Sequence, residues 1–264
     1  MEKKKLIIQK KINRPFFSVI TVVKNSEKLI QKTILSIQNQ KFKNFEYIIV
    51  DGLSSDNSLK NILQNKKCIT HLLSEKDSGI YFAMNKGIRI AKGEIIVFVN
   101  AGDELSRNAL SIIEKKFRSN SKYDFIFGTV KRYYTKETIL KYGFNKQRLL
   151  YNFDFATAHS TGFYLKRKIL KQIGGFNTKY KCSADYDLYF KLLIKKKLVG
   201  SYTKKNQLIG IVKSGGYSSK VSFFDHLLEE TKIRIANNQN YLFVIIIFFN
   251  AIIKKIFKNL KNIY

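Results

Sequence analysis

The sequence predicts an α/β fold in which helices cover both faces of a mostly parallel central sheet. Residues 95–99 are five consecutive β-branched or aromatic residues, a run typical of a strand buried on both faces. Strand-like apolar runs also alternate with segments of helical periodicity through the first half of the chain. This alternation favours parallel strands joined by right-handed crossover helices.

The first half of the chain divides into four strand–helix units. Runs rich in β-branched residues predict strands at 16–23, 47–50, 69–73 and 95–99. Apolar residues recur at helical spacing within 29–37, 59–63, 80–91 and 110–117. The second half loses this alternation, although a further strand is predicted at 123–130. We therefore divide the chain into a basic leader (1–15), an α/β domain (16–220, with halves 16–105 and 106–220) and a basic amphipathic helical tail (221–264).

Charge and composition limit the function classes. The hydrophobic fraction of 45% is that of a globular protein. An excess of 49 Lys and Arg over 19 Asp and Glu gives a net charge of +30, which attracts nucleic acid, anionic lipid or phosphorylated small molecules without choosing among them. Cys68 and Cys182 have no metal-like or redox-like spacing, and the leader lacks the apolar core of a signal peptide. These features predict a cytoplasmic protein.

The tail combines an apolar run with basic flanks. Residues 241–253 are almost wholly apolar, but a bilayer span needs about 20 such residues. Residues 231–264 hold six Lys and Arg and no acid. Since each cation near an anionic leaflet contributes about 1 kcal/mol, we expect the tail to lie on the inner face of the cell membrane. Packing against a partner subunit is the alternative.

Polar side chains follow each predicted strand of the first half. The carboxyl ends of parallel strands meet at one edge of the sheet, where α/β proteins bind ligands. Carboxylate and amide oxygens there suit Mg²⁺ or Mn²⁺ shared with a substrate phosphate. The alternative is that these acids only cap turns or start helices. The residues concerned in the cation prediction are Asn100, Asp103 and Glu104, and the polar residues after the other strands are Asn25, Asp51, Asp56 and Asp77.

Four segments carry a resemblance to a known family. They are SVITVVKN (18–25), VDGLSSD (50–56), SEKDSGIYFAMNKG (74–87) and NAGDE (100–104). In this order and spacing, the chain from 18 to about 219 resembles the family 2 glycosyltransferases, and among them the type that builds bacterial surface polysaccharides. The resemblance implies the GT-A fold. It also implies transfer of a sugar from a nucleotide-sugar, with a UDP-sugar favoured, to a hydroxyl of a glycan or lipid-linked acceptor.

The resemblance also assigns roles to individual residues. Asp103 matches the last carboxylate of the family's metal motif, for Mn²⁺ or Mg²⁺. Many members have more acids in that motif, whereas here position 100 is an amide and position 102 a glycine, so the donor phosphates are expected to supply more of the metal's ligands. The donor-contacting positions are Thr21, Asn25, Asp51, Asp56, Asp77, Asn85 and Asn100.

In the second half, the resemblance points to His159 and Asp185. His159 lies in a segment similar to the family's acceptor side, with a structural hydrogen bond as the alternative. Asp185 falls on the position of the catalytic base, which takes the proton of the attacking hydroxyl in an inverting displacement. Its alternative role is to stabilise a helix start through the macrodipole. Asp187 points about 200° further around that helix and is expected to be structural.

Two other functions are weighed against this one. A nucleotidyltransferase of the same fold would need a triphosphate loop rich in Gly, Arg and Lys near the first strand, and the sequence has none there. A basic RNA-binding or scaffolding protein that keeps the fold without catalysis would bind oligonucleotides with a steep salt dependence. The cations and aromatics at 131–134 are expected to pack or to contact sugar rather than RNA, and no specific nucleic-acid partner is predicted.

Overall fold

The computed structural model describes residues 5–134, 137–151, 160–213 and 221–260. The strands are β1 Lys5–Gln9, β2 Phe17–Val23, β3 Phe45–Asp51, β4 His71–Ser74, β5 Ile95–Phe98, β6 Glu104–Leu105, β7 Phe125–Phe127, β8 Thr129–Tyr133, β9 Thr138–Lys141, β10 Phe163–Lys166, β11 Gly200–Tyr202 and β12 Leu208–Lys213. The helices are α1 Ile30–Gln38, α2 Ser58–Gln64, α3 Ile80–Ile90, α4 Ala109–Arg118, α5 Lys146–Leu149, α6 Arg167–Gln172, α7 Ala184–Phe190, α8 Phe223–Ala236 and α9 Tyr241–Leu260. A 3-10 turn, Ser160–Gly162, precedes β10, and a π-helical turn, Lys191–Lys195, continues α7.

Within the described residues, eight strands form the central sheet in the order β1-β4-β3-β2-β5-β10-β7-β11. β2 runs parallel to β3 and β5, and β3 runs parallel to β4. β11 is parallel to β7, whereas β10 is antiparallel to both of its neighbours. The predicted mostly parallel sheet is confirmed, and the carboxyl ends of β2 to β5 lie together at one edge.

Helices cover both faces of this sheet because neighbouring strand residues point to opposite sides. Val19 packs with Ile34 of α1 and Ile113 of α4 in one core cluster. Ile20 packs with Met84 of α3 in the other, which also holds residues of α6 and α7. Burial of each such side chain contributes about 1.5–3 kcal/mol, so the near-continuous apolar strands stabilise both layers.

Two elements differ from the sequence-based expectation. The strand predicted at 123–130 is divided at Gly128: β7 lies in the central sheet, and β8 lies in a second sheet of order β6-β12-β8-β9 in the described part of the chain. A Cβ at Gly128 would lie 2.7 Å from the Ile209 side chain, so the glycine allows β12 to pass closely. The segment predicted as a basic leader contributes β1, which pairs antiparallel with β4.

The predicted helical tail is confirmed as α8 and α9, which pack against each other, with α8 also against α7. No helix in the described ranges combines the length and apolar character needed to cross a membrane.

Candidate active site

The carboxyl ends of β2 to β5 bring together the loops that follow them. The backbone N–H of Gly52, after β3, donates to the carbonyl of Val23 at the end of β2 (2.8 Å). The N–H of Glu75, after β4, donates to the carbonyl of Asp51 (3.0 Å). These contacts make the predicted polar loops neighbours along one edge of the sheet.

Asp51 organises the loop after β3. It is buried, and its carboxylate accepts hydrogen bonds from the hydroxyls of Ser54 (2.5 Å) and Ser74 (2.7 Å) and from the N–H of Ser54 (3.2 Å). Hydroxyl donors thus already occupy its two oxygens. A ribose hydroxyl or a base N–H is chemically equivalent to these donors.

Asp77 lies directly over Gly52. A Cβ built at Gly52 would be 2.4 Å from Asp77 Oδ2 and 3.3 Å from the Lys24 side chain. Asp77 Oδ1 accepts the N–H of Gly79 (3.1 Å) at the start of α3. The half-buried Asp77 carboxylate and the aliphatic part of the exposed Lys24 side chain therefore flank backbone that a side chain at position 52 would fill.

Asn25 and Asp56 tie the β2 and β3 loops together. Asn25 Oδ1 accepts the N–H of Ser55 (2.9 Å), and Asp56 Oδ2 accepts the N–H of Glu27 (3.0 Å). Asp56 Oδ1 also accepts the N–H of Ser58 (2.9 Å) at the start of α2. The capping alternative thus holds for Asp56, whatever else it contacts.

The structure places Thr21 and Asn85 differently from the prediction. Thr21 is fully buried and donates its hydroxyl to the carbonyl of Val99 (2.7 Å), so it is enclosed in the sheet and does not border the crevice. The amide of Asn85 pairs with the backbone of Phe176, through Nδ2 to the carbonyl (2.8 Å) and from the N–H to Oδ1 (2.9 Å). Asn85 therefore joins α3 to the loop after α6, because both ends of its amide are engaged there.

Asn100 and Asp103 are the ends of a tight turn after β5. The N–H of Asp103 donates to the carbonyl of Asn100 (2.9 Å), and Gly102 takes a φ of +102°, a conformation that favours glycine. Thr33 of α1 fixes the turn, since its hydroxyl donates to the carbonyl of Asp103 (2.8 Å) and accepts the N–H of Gly102 (2.9 Å). Asp103 therefore does not start α4, contrary to the alternative reading.

The oxygens of this turn differ in their partners. Asp103 is buried, and its Oδ2 accepts the hydroxyl of Thr161 (2.7 Å). Burial raises the pKa of Asp103 to about 7, although the Thr161 hydroxyl and the Lys213 backbone N–H favour the charged form. Asn100 Nδ2 donates to the Ser160 hydroxyl (3.0 Å), whereas Asn100 Oδ1 is buried with no hydrogen-bond partner among the described residues.

This unpaired oxygen is the observation that fits a cation. Amide and carboxylate oxygens are hard ligands, and one or two of them suffice for Mg²⁺ or Mn²⁺ when phosphates complete the coordination. The described residues hold no cluster of three or more His, Cys, Asp or Glu side chains able to bind a metal alone. Asn100 and Asp103 therefore fit a cation shared with a substrate, and not a closed structural site.

Asp185 is the second residue of α7 and is half-buried. Its Oδ1 accepts the hydroxyl of Tyr81 (3.2 Å) and the N–H of Tyr186 (3.0 Å). Burial raises the pKa of Asp185 to about 6, against the effect of these two donors and of the charge of His226. Tyr81 lies in the first turn of α3, four residues after Asp77, so this hydrogen bond attaches Asp185 to the same edge of the sheet.

Asp187 has the structural role expected of it. Its oxygens accept hydrogen bonds from Lys191 (2.6 Å) and Asn237 (3.0 Å), and it is buried. Tyr81 lies within the segment 74–87, and Thr161 lies two residues after His159. No sequence pattern indicates that their hydroxyls contact Asp185 and Asp103. His159, the predicted acceptor contact, lies outside the described residues.

The sequence is similar to a known protein family and to known proteins. The profile described as "Glycosyl transferase family 2" matches residues 18–174. A "PGL/p-HBAD biosynthesis glycosyltransferase" of Mycobacterium bovis is 29% identical over 196 residues, covering 71% of this chain and 73% of that protein. The "GalNAc(5)-diNAcBac-PP-undecaprenol beta-1,3-glucosyltransferase" of Campylobacter jejuni is 36% identical over 118 residues, which cover 43% of this chain and only 38% of that protein.

Solved structures show the same fold. S. aureus TarS 1-349 in complex with UDP-GlcNAc matches with a TM-score of 0.67 and 17% identity, over 89% of this chain and 71% of that one. In the UDP complex of TarS 1-349, this chain spans 64% of the solved length. The mannosyltransferase PcManGT of Pyrobaculum calidifontis, in complex with GDP-Man and Mn²⁺, matches with a TM-score of 0.64 and 17% identity, over 90% and 68% of the two chains. The expected glycosyltransferase fold is confirmed.

Proposed function

Because this chain belongs to glycosyl transferase family 2 and is a glycosyltransferase, we propose that it transfers one sugar from a UDP-sugar to a hydroxyl of a glycan or lipid-linked acceptor in the synthesis of a cell-surface polysaccharide. The observation that carries the proposal is the hydrogen bond from the Tyr81 hydroxyl to Asp185. Tyr81 lies in the first turn of α3, directly after the loop of Asp77. This hydrogen bond brings a candidate base from the second half of the chain to the edge where the first half presents its carboxylates. A UDP-sugar bound to TarS and the undecaprenol-linked substrate in the C. jejuni relative's name support the substrate classes.

The donor nucleotide would lie over the ends of β2, β3 and β4. Asp51 is positioned to exchange a serine hydroxyl for a ribose hydroxyl or a base N–H. Gly52 leaves room between Asp77 and the Lys24 side chain, and the cationic end of that side chain would attract a phosphate. Asn25 and Asp56 hold the walls of this crevice through backbone contacts.

Asn100 and Asp103 would hold Mn²⁺ or Mg²⁺ together with the donor phosphates. Asn100 Oδ1 is a buried oxygen that lacks a partner in the described residues, and Asp103 adds a carboxylate fixed by Thr161. When bound, such a cation neutralises the negative charge that develops on the departing nucleotide. The Mn²⁺ present in the PcManGT complex supports this assignment.

Asp185 would act as the general base of an inverting displacement. At neutral pH a carboxyl group with a pKa of about 6 is mostly ionised, yet it is more basic than an ordinary aspartate. The Tyr81 hydroxyl and the Tyr186 N–H both contact Oδ1, and we propose that Oδ2 takes the proton of the acceptor hydroxyl. Tyr81 sets the orientation of the carboxylate. His159 remains a predicted acceptor contact.

The test is a transfer assay with a panel of UDP-, GDP- and dTDP-sugars and polyprenyl-linked glycans, with Mn²⁺ or EDTA. We expect release of UDP that requires acceptor and cation. Failure of every UDP-sugar to bind, while another nucleotide-sugar supports transfer, would refute the donor assignment. Equal transfer rates in Mn²⁺ and in EDTA would refute the assignment of a cation to the site.

A further inference from the structure

The outer surface of α9 carries an unusual concentration of exposed large apolar side chains. Leu242 is 71% exposed, Ile246 63% and Phe249 57%, and Ile253 and Phe257 continue the series at 50% and 61%. Their spacing of three or four residues places them on one face of the helix. We define these five residues as the α9 stripe.

The opposite face of α9 already packs against the protein. Val244 is buried, the ring of Phe243 contacts that of Tyr151 with centroids 5.1 Å apart, and the Lys255 ammonium group lies 5.5 Å from the centre of the Phe223 ring. These contacts fix the orientation of the helix. The α9 stripe therefore faces away from the protein, on a helix whose other face is packed.

We propose that the α9 stripe docks this protein on the surface of an anionic membrane, with α9 lying in the plane of the interface. An amphipathic helix at an interface buries its apolar face at the headgroup boundary and keeps its cations near the phosphates. Lys254 lies about 100° around the helix from the stripe, and the whole chain carries a net charge of +30. Each cation near an anionic leaflet contributes about 1 kcal/mol.

The same charges argue against a second copy of this chain as the occupant. Two chains that each carry a net charge of +30 repel one another. Anionic lipid reverses the sign of that interaction. The stripe is also a single convex helix face, which matches a flat lipid surface better than a partner groove.

The docking surface is connected to the helix that carries Asp185. α9 packs on α8, and α8 contacts α7 through Asn237, which donates to Asp187 (3.0 Å), and Arg234, whose guanidinium lies 5.2 Å from the centre of the Tyr186 ring. Docking would therefore hold α7 at a fixed height above the membrane. This arrangement suits an acceptor anchored in the same lipid surface, although the docking itself does not depend on the proposed reaction.

Vesicle flotation of the full chain tests the proposal. The vesicles contain phosphatidylcholine alone or with about one third phosphatidylglycerol. The variant Ile246→Glu/Phe249→Glu is compared with Leu63→Glu/Val199→Glu, which makes the same charge change at exposed apolar side chains outside the tail. We expect the wild type and the Leu63/Val199 variant to float with anionic vesicles, and the Ile246/Phe249 variant to lose about ten-fold or more in binding.

Several results would overturn the proposal. One is flotation of the Ile246/Phe249 variant at the wild-type level, which would show that the positive charge alone, without the stripe, binds the vesicles. Another is a wild type that stays unbound to anionic vesicles. A concentration-dependent dimer in sedimentation, lost in the Ile246/Phe249 variant, would assign the stripe to a second copy. Circular dichroism checks that each variant is folded, which we expect because the four replaced side chains are exposed or half-exposed.

Discussion

At the scale of single residues, Asp185 is the group whose environment says most about the chemistry. It is half-buried at the start of α7, and its Oδ1 is held by the Tyr81 hydroxyl. Helix starts stabilise carboxylates, but here burial has the larger effect and raises the pKa to about 6. The residue is therefore more basic than a simple capping aspartate, while still ionised at neutral pH.

Asp185→Asn should reduce transfer about 10²- to 10⁴-fold, because an amide cannot accept the proton of the attacking hydroxyl. Binding of the donor should be unchanged, since the role proposed for Asp185 is toward the acceptor hydroxyl. The measurement is kcat from initial rates, together with donor affinity from thermal stabilisation. Glu114→Gln, which removes a surface ion pair on α4, is the matched control and should retain activity. Wild-type turnover in Asp185→Asn would show that another group is the base.

The pH dependence of kcat/KM should report the same carboxylate. As the pH rises through about 6, Asp185 loses its proton and activity should rise to a plateau. The profile is measured at saturating Mn²⁺, because Asp103, with its pKa raised to about 7, must also be ionised to bind the cation. The titratable groups that interact with Asp185 include Tyr81 from α3, Cys182 before α7, Tyr189 of α7, and His226 and Glu230 from α8. Since the charge of His226 lowers the pKa of Asp185, His226→Gln should move the acid limb to higher pH. A flat profile between pH 5 and 7 would contradict the assignment.

At the scale of elements, α8 supports α7, the helix that carries the proposed base Asp185. The Glu229 carboxylate accepts the backbone N–H groups of Lys181 (2.6 Å), Cys182 (2.9 Å) and Ser183 (3.0 Å), the residues that lead into α7. These hydrogen bonds outweigh the effect of burial and lower the pKa of Glu229. Its stabilising contribution is therefore complete above the unfolded-state pKa and is lost as the pH falls through the lower folded-state pKa.

Glu229→Ala should destabilise the protein by about 1–3 kcal/mol, because three N–H groups lose their acceptor. It should also lower kcat while leaving the KM of the donor nearly unchanged, since only the position of Asp185 is affected. Urea unfolding and steady-state kinetics measure the two effects. Glu229→Gln, which keeps one acceptor oxygen, should recover part of both. Unaltered stability and kcat in the alanine variant would show that α8 does not position the base.

The sequence predicted those elements whose evidence is local. β2, β3, β4 and β5 follow from apolar runs, and the polar residues after them follow from where those runs stop. The division of β7 from β8 at Gly128 was not predictable, because it depends on the distant Ile209. The same holds for the pairing of Asn85 with Phe176 and of Glu229 with residues 181–183, which join segments far apart in the chain.

At the scale of the whole molecule, the two halves have complementary tasks. Parallel strands in the first half place polar side-chain oxygens and Lys24 along one edge of the sheet. The second half supplies Thr161 to Asp103 and Asp185 to Tyr81, so neither half completes the site alone. Helix α8 of the tail packs against α7, and α9 leaves the α9 stripe exposed.

Hydrogen exchange of the wild type with and without UDP and Mn²⁺ tests the central claim most directly, because ligand binding slows the local opening that exposes amides. We predict protection concentrated in the loops at 24–26, 51–57, 75–79 and 100–103. Protection confined to the tail, or absent from these loops while UDP is bound, would contradict the claim that this edge of the sheet holds the donor.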